Sequence, residues 1–322
     1  YQKTVFYNNE RVDAVNTYTY DAFYQLLNAS GREHSGQNNL YSQFNEFLPA
    51  PPHTNDAQAM RNYTQQFDYD DAGNKLYVIH KADSNNWNRY FTYDELSNRL
   101  QKTEVSQLTE LYNYDANGNM QNLSSLTKMQ WNYKNELAYI EKGTTKAWYN
   151  YDSSGQRCRK VVQEGTKTKV RYYIGDYEVY REYFGNELTN TPELERQSLH
   201  ISDDNSRIAL IETKTVEGTR ELNVAEVLVR YQYSNHLDSA SLELDHSAQI
   251  ISYEEYYPYG NTSYQAVDST REVPAKRYRY TGMERDEESG LNYHTARYYA
   301  PWLGRWMSAD PIGIKGGLNL FQ

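Results

Sequence analysis

Cysteine occurs once in the 322 residues, at Cys158, which excludes a disulfide framework and a cysteine-based metal site. A single thiol fits synthesis in a reducing cytoplasm. Its basic neighbours Arg157, Arg159 and Lys160 would make it more acidic, but the sequence supplies no histidine partner for a nucleophile, so packing is the expected role. The 7 histidines (His34, His53, His80, His200, His236, His246 and His294) never fall in His-x-His or His-x-x-x-His spacing. Neither a metal nor a cofactor is therefore expected. Positive charge is also short, with 33 Lys+Arg against 43 Asp+Glu and a net charge of −10. That balance argues against nucleic acid, whose binders cluster cations to displace counterions, and against adhesion to an anionic membrane. No apolar run is long enough to span a bilayer, so direct membrane insertion is not expected, and Tyr1-Gln2-Lys3 has no signal-peptide character. The chain reads as an internal piece of something longer. Nucleophile-elbow, Walker and dinucleotide motifs are missing too.

What the sequence has in excess is tyrosine, 34 residues against 8 Phe. Mean hydropathy is only −0.95, yet disordered chains are poor in aromatics. A sheet one layer thick reconciles the two. Its side chains pack laterally and still meet water, and tyrosine offers an apolar ring for cross-strand contact with a hydroxyl that can be hydrated.

The tyrosines are ordered. Aromatic-x-Tyr-Asp recurs at Tyr18–Asp21, Phe67–Asp70, Phe91–Asp94, Tyr112–Asp115 and Tyr149–Asp152, with weaker copies at Trp131–Tyr133, Tyr231–Tyr233 and Tyr278–Tyr280. From Tyr69 the second tyrosines repeat every roughly twenty residues, a spacing typical of repeat architectures. Aromatics two apart project from one face of a strand. The Asp that follows can accept backbone N–H bonds, and a Gly three residues later (Gly73, Gly118, Gly155) can take positive φ, as in a type I turn followed by a bulge. Each repeat is thus expected to be a hairpin, and successive hairpins to pair edge to edge. Residues 34–65, with Pro49, Pro51 and Pro52, read as an insertion loop with a short helix near Asp56–Gln66, and residues 185–206 as a second excursion. Strands are expected to resume at Arg207–Glu212 and Val224–Tyr233. The aromatic spacing favours cross-strand packing over a sugar-binding ladder, and acidic runs such as Glu284-Arg285-Asp286-Glu287-Glu288 read as solvated turns.

From Tyr231 the pattern becomes specific: Tyr231-Gln-Tyr233-Ser-Asn-His236-Leu-Asp238, Tyr256-Tyr257-Pro258-Tyr259-Gly260, Tyr280-Thr-Gly282-Met-Glu-Arg285-Asp286, then Gly290 through Asp310-Pro311-Ile312-Gly313. These motifs resemble the YD-repeat (Rhs) family and its associated core segment over essentially the whole chain. Within the family, Asn16-Thr-Tyr-Thr-Tyr-Asp-Ala-Phe-Tyr-Gln-Leu with Gly31-Arg32-Glu33 resembles Tc toxin complex C subunits, with type VI secretion Rhs effectors close behind. The resemblance implies an all-β spiral of hairpins in a single layer, forming part of a hollow shell. Residues 1–277 would be the wall, and residues 278–322 a core segment plugging it and forming the first part of an aspartic autoprotease. Asp310 would be one catalytic carboxylate. Its partner would lie in a second Asp-Pro-x-Gly motif some twenty residues further on, outside this sequence, as would the scissile bond. Arg305 would orient a carboxylate or stack on Trp302 or Trp306. The implied partners are a toxin cargo at the C-terminus, an upstream repeat segment or second repeat-bearing subunit that completes the shell, and a secretion or translocation machinery that delivers a secreted bacterial toxin. The competing expectation is a cell-surface adhesion or glycan-binding module, which the closing Asp-Pro-Ile-Gly segment disfavours.

Overall fold

The computed structural model describes residues 3–36, 56, 58–185, 188, 191–203, 206–267 and 276–322. Among them the chain is all-β with no α-helix, broken only by short 3₁₀ turns at Pro258–Gly260, Tyr280–Gly282 and Gly313–Lys315. The pairings are antiparallel and follow sequence order. Seven strands run from Thr17–Tyr20 to Leu108–Leu111 in one sheet and twelve from Lys128–Trp131 to Thr262–Val267 in another; neither closes into a barrel. Neighbours in sequence are neighbours in space, as repeated hairpins require, and tight turns such as those at Asp70, Asp115 and Asp152 join many of them.

The turns form by the expected chemistry. Asp70 Oδ1 accepts the N–H of Ala72 (2.9 Å) and of Asn74 (2.8 Å), and the same pair of bonds recurs at Asp115 and Asp152. Gly73, Gly118 and Gly155 take φ of 78°, 88° and 84°, which side chains with a Cβ resist. The strand register slips by one residue just before the turn, at Asp68/Tyr69, Thr92/Tyr93 and Asn150/Tyr151. That slip is the bulge.

In the first repeat Tyr18 and Tyr20 are both exposed, but in the four from Phe67 to Tyr151 the two aromatics divide the work. The first is buried: Phe67, Phe91, Tyr112 and Tyr149 are all at most 6% exposed. The second is half-buried and reaches the previous hairpin through its hydroxyl. Tyr69 donates to the Leu26 carbonyl (2.9 Å), Tyr93 to Lys75 (2.9 Å) and Tyr151 to Leu137 (2.7 Å), and Tyr114 accepts from the Leu100 N–H (3.1 Å). Phenylalanine would leave a buried carbonyl without that donor, which explains tyrosine's excess in this position.

Two compact units result. The first comprises Tyr1–Ser125, Tyr253–Val267 and Tyr299–Gln322; the second Leu126–Ser252 and Asp268–Tyr298. In the first, Tyr257 and Tyr259 pack edge-on against Tyr63 (4.9 Å) and Phe67 (5.6 Å) of the seven-stranded sheet. In the second, Tyr298 lies against Tyr149 (5.9 Å) and Tyr293 (5.3 Å).

Both predicted insertions are shorter than expected. The segment read as a helix near Asp56–Gln66 is the start of strand Met60–Tyr69, paired with Leu26–His34. Arg61, Tyr63, Gln65 and Phe67 are buried and alternate with exposed Asn62, Thr64 and Gln66, a period of two that overrides the polar composition. Residues 37–55 lie outside the described residues. Within 185–206, Leu194–Ser202 is likewise a strand, held between Tyr177–Phe184 and Arg207–Glu217. The resumed strands are longer than expected, Arg207–Glu217 and Arg220–Ser234. Cys158 is half-buried, its thiol 3.5 Å from the Asn150 carbonyl.

Candidate functional site

The closing segment of the first unit is seated on the repeat turns. Tyr299 and Ala300 pair with Trp306 and Arg305 around a turn at residues 301–304. Three buried cations bind that turn and its neighbour: Lys75 Nζ donates to the Gly304 carbonyl (3.2 Å), Arg89 to Trp302 O and Arg305 to Asn98 O. Lys75 also sits 3.9 Å over the Tyr259 ring. Burial, then the charges of Arg305 and Arg89, push the Lys75 pKa well below the usual lysine range. Gly304 has φ 57°, and a Cβ there would lie 1.9 Å from Lys75 Nζ. Gly304→Ala is therefore expected to lose about 1–2 kcal/mol of unfolding free energy from the left-handed backbone alone, read as a lower denaturant midpoint.

Beyond this turn the chain loops out and returns. The Met120 N–H donates to the Met307 carbonyl (2.8 Å), and Met307 is fully buried. The Asp310 N–H donates to Leu320 O (2.9 Å) and the Trp306 N–H to Phe321 O (3.3 Å), closing residues 310–320 into a loop. Asp310 Oδ1 accepts the Ile312 N–H (2.9 Å) and its carbonyl accepts the Gly313 N–H (2.9 Å), so the Asp-Pro-Ile-Gly motif is a tight turn with a fixed carboxylate.

Arg305 lies in the same unit. It is 5% exposed and donates to Asn74 Oδ1 (3.2 Å), and its guanidinium stands 5.0 Å from the Tyr93 ring and 5.1 Å from the Phe321 ring. The rings it stacks on are thus not those of Trp302 and Trp306, because the returning chain brings Phe321 beside it. None of the described carboxylates lies within ion-pair distance of it. Asn74, Asn98, Lys75 and Arg89 escaped the sequence reading because each occupies an ordinary repeat position.

A second anchor in the first unit is buried Glu33, which accepts from Arg61 Nε (2.7 Å) and Tyr257 and lies 3.0 Å from His80 Nε2. Burial pushes its pKa up, but His80, Arg61 and the Tyr257 hydroxyl outweigh it and hold it below the usual range. In the second unit, the run Glu284–Glu288 is not a solvated turn. Arg157 pairs with Glu284 (2.6 Å) and Asp286 (2.7 Å), and Lys160 with Asp286 (2.7 Å). Glu178 pairs with Arg171 (2.8 Å), Arg277 (2.7 Å) and His200 (2.9 Å). Among the described residues no group of three or more His, Cys, Asp or Glu is placed to hold a metal ion.

Tandem antiparallel hairpins carrying an aromatic-x-Tyr-Asp signature, with a closing segment seated on their turns, define an Rhs-type repeat protein. No family model matches the chain. It is 34% identical over 336 aligned positions to toxin subunit YenC1 of Yersinia entomophaga, which covers 100% of this chain and 33% of that protein. To toxin protein Tse5 of Pseudomonas aeruginosa it is 29% identical over 196 positions, 56% of this chain and 14% of that one. The crystal structure of TcdB2-TccC3 superposes with a TM-score of 0.81 at 32% identity, covering 100% of this chain and 16% of that one. The chain is a homologue of the C subunits of Tc toxins, and it spans about a third of the length of the curated relatives YenC1 and YenC2 (33% and 34%).

Proposed function

We propose that this chain is part of the wall of a hollow shell that encloses a toxin polypeptide, and that Asp310 is one of two carboxyl groups that cut the toxin free of the wall. The supporting observation is the fixed Asp-Pro-Ile-Gly turn, whose carboxylate is oriented by the Ile312 N–H and whose two flanks are tied to repeat turns. Two carboxyls sharing a proton can hydrolyse a peptide. The ionised one takes a proton from water as its oxygen attacks the scissile carbonyl, and the protonated one polarises that carbonyl. As the C–N bond breaks, the leaving amine takes up a proton. Asp310 would supply one group, and the second Asp-Pro-x-Gly motif of the full-length protein the other. Arg305 supports the step by holding the chain before Asp310 rather than by touching the reacting atoms. The domain division proposed is a wall over residues 1–277 and a plug over 278–322.

Because the relatives named above are toxin components, the full-length protein would be secreted or delivered. The likeness to the TcdB2-TccC3 structure supports a partner subunit, which in this reading completes the shell. The test is expression of the full-length protein with and without Asp310→Asn. Wild type is expected to yield two fragments and the variant one. Two fragments from both would remove Asp310 from the chemistry, and a structure of the full-length protein with no internal volume would remove the shell.

A further inference from the structure

We propose that Asn74 is the positioning residue that sets Asp310 for self-cleavage, an assignment that rests on the reading of Asp310 given above. Asn74 closes the repeat turn that begins at Asp70, and it is 2% exposed. Its side-chain amide makes four bonds. Nδ2 donates to Asp70 Oδ2 (2.9 Å) and to Asn98 Oδ1 (2.9 Å), while Oδ1 accepts from Arg305 Nη1 (3.2 Å) and Asn319 Nδ2 (2.8 Å). An asparagine has two donors and two lone pairs, so its whole capacity is used. Two of these bonds go to repeat turns. The other two go to the chain on either side of Asp310.

The grip extends to Asp310 itself. Asn319 also donates to Ala72 O (3.2 Å), and its Oδ1 accepts the Phe321 N–H (3.1 Å). Between these residues Leu320 offers the carbonyl that accepts the Asp310 N–H at 2.9 Å. Asn98 completes the seat by donating to Leu318 O (3.1 Å). All these residues belong to the first unit.

The repeat turn itself does not demand asparagine here. The corresponding residue, whose backbone N–H bonds the Asp or Asn that opens the turn, is asparagine again at Asn119 but Gln25, Glu136, Gln156, Ser239 or Gln249 elsewhere. The turn forms with other side chains at this position, and what sets Asn74 apart is that its Oδ1 holds the closing segment while its Nδ2 bonds Asp70 and Asn98. Asn74→Gln keeps turn chemistry that the protein already uses at Gln156 and displaces the amide by one methylene. Asn319→Ala removes the same link from the other side, together with the bonds to Ala72 O and the Phe321 N–H, and changes no residue of the repeat turns.

Cell-free synthesis of the full-length protein, sampled over time, separates the rate constant of cleavage from its final extent. Wild type, Asn74→Gln, Asn319→Ala, the double variant and Asp310→Asn are compared. Each single variant is expected to cut about tenfold to a hundredfold more slowly, since an error of about 1 Å in reacting groups costs that much, while reaching the wild-type extent. The double variant should be slower than wild type by less than the product of the two single effects, because both substitutions break the shared Asn74–Asn319 bond. A merely structural role would lower the extent and leave the rate constant of the folded fraction unchanged, and that result overturns the assignment. Effects of the two substitutions that multiply also overturn it. If Asp310→Asn abolishes cleavage and the asparagine variants cut at the wild-type rate, Asn74 falls and Asp310 stands. Cleavage by Asp310→Asn sinks both.

Discussion

Arg157→Ala is expected to lower the unfolding free energy of this chain by about 3–5 kcal/mol, the usual cost of removing one partner from a buried ion cluster. The Arg157 side chain is 1% exposed and pairs with Glu284 and Asp286, which are 3% and 0% exposed. Its guanidinium lies 4.3 Å from the Tyr293 ring and 5.1 Å from that of Tyr173, so the alanine would also empty a site lined by aromatic faces. Lys160 would remain on Asp286, but Glu284 would lose its shortest partner. Arg157→Lys keeps the charge and gives up the forked pairing with two carboxylates, so it should fall between wild type and alanine. Urea unfolding followed by tyrosine fluorescence measures all three. An alanine variant within 1 kcal/mol of wild type would mean that the cluster does not hold residues 276–298 in the second unit.

Acid should weaken the same unit through particular carboxylates. Glu243 is buried among Arg230 (2.5 Å), Ser252 (2.5 Å) and Gln232 (2.8 Å). Burial pushes its pKa up, but the charges of Arg230 and Lys276 and the bonds from Arg230 and Ser252 outweigh it, holding it at about 2 against an ordinary 4.5. A carboxyl depressed in the folded state contributes stability that is complete above pH 4.5 and disappears as pH falls towards 2. At about 1.4 kcal/mol per unit the contribution is on the order of 3 kcal/mol. Glu284 and Glu178, held down by Lys160, Arg157 and Arg277 and by Arg277, Arg171 and His200 against the cost of burial, act in the same direction. Glu288 acts in the opposite one. Burial raises its pKa, Lys160 opposes the rise and Asp286 adds to it, so its ionised form is a cost that appears as pH rises through the carboxylate range.

Two neighbouring substitutions should therefore differ in sign at neutral pH. Glu284→Gln should lose about 1.5–3 kcal/mol, as for bonds to charged groups, whereas Glu288→Gln should raise the melting temperature. The Glu288→Gln advantage should shrink as pH falls, because protonation of the native side chain relieves the same cost. Thermal melts between pH 3 and pH 8 would test this, and a loss of stability in both variants would contradict the assignment for Glu288.

The repeat was legible because its chemistry is local. An aromatic two residues before Tyr, an Asp that captures backbone N–H groups and a Gly at positive φ are decided within a dozen residues, and the turns at Asp70, Asp115 and Asp152 form as expected. The misread segments failed for an equally local reason. Arg61 and Gln65 alternate with Tyr63 and Phe67 on the buried face, and polar side chains at those positions look like loop composition until their partners are known. In sequence Glu284 and Asp286 read as a solvated turn because the cations that neutralise them, Arg157 and Lys160, lie more than a hundred residues away.

By itself, then, the sequence determined that this protein is a string of antiparallel hairpins, since backbone hydrogen bonding and side-chain alternation act between residues close in the chain. Only the tertiary structure decided which polar side chains are buried, what Arg305 touches, and that Asn74 joins the repeat turns to both flanks of Asp310. A charge or an amide is stable in an interior only when its particular partners are in place, and here those partners come from distant parts of the chain.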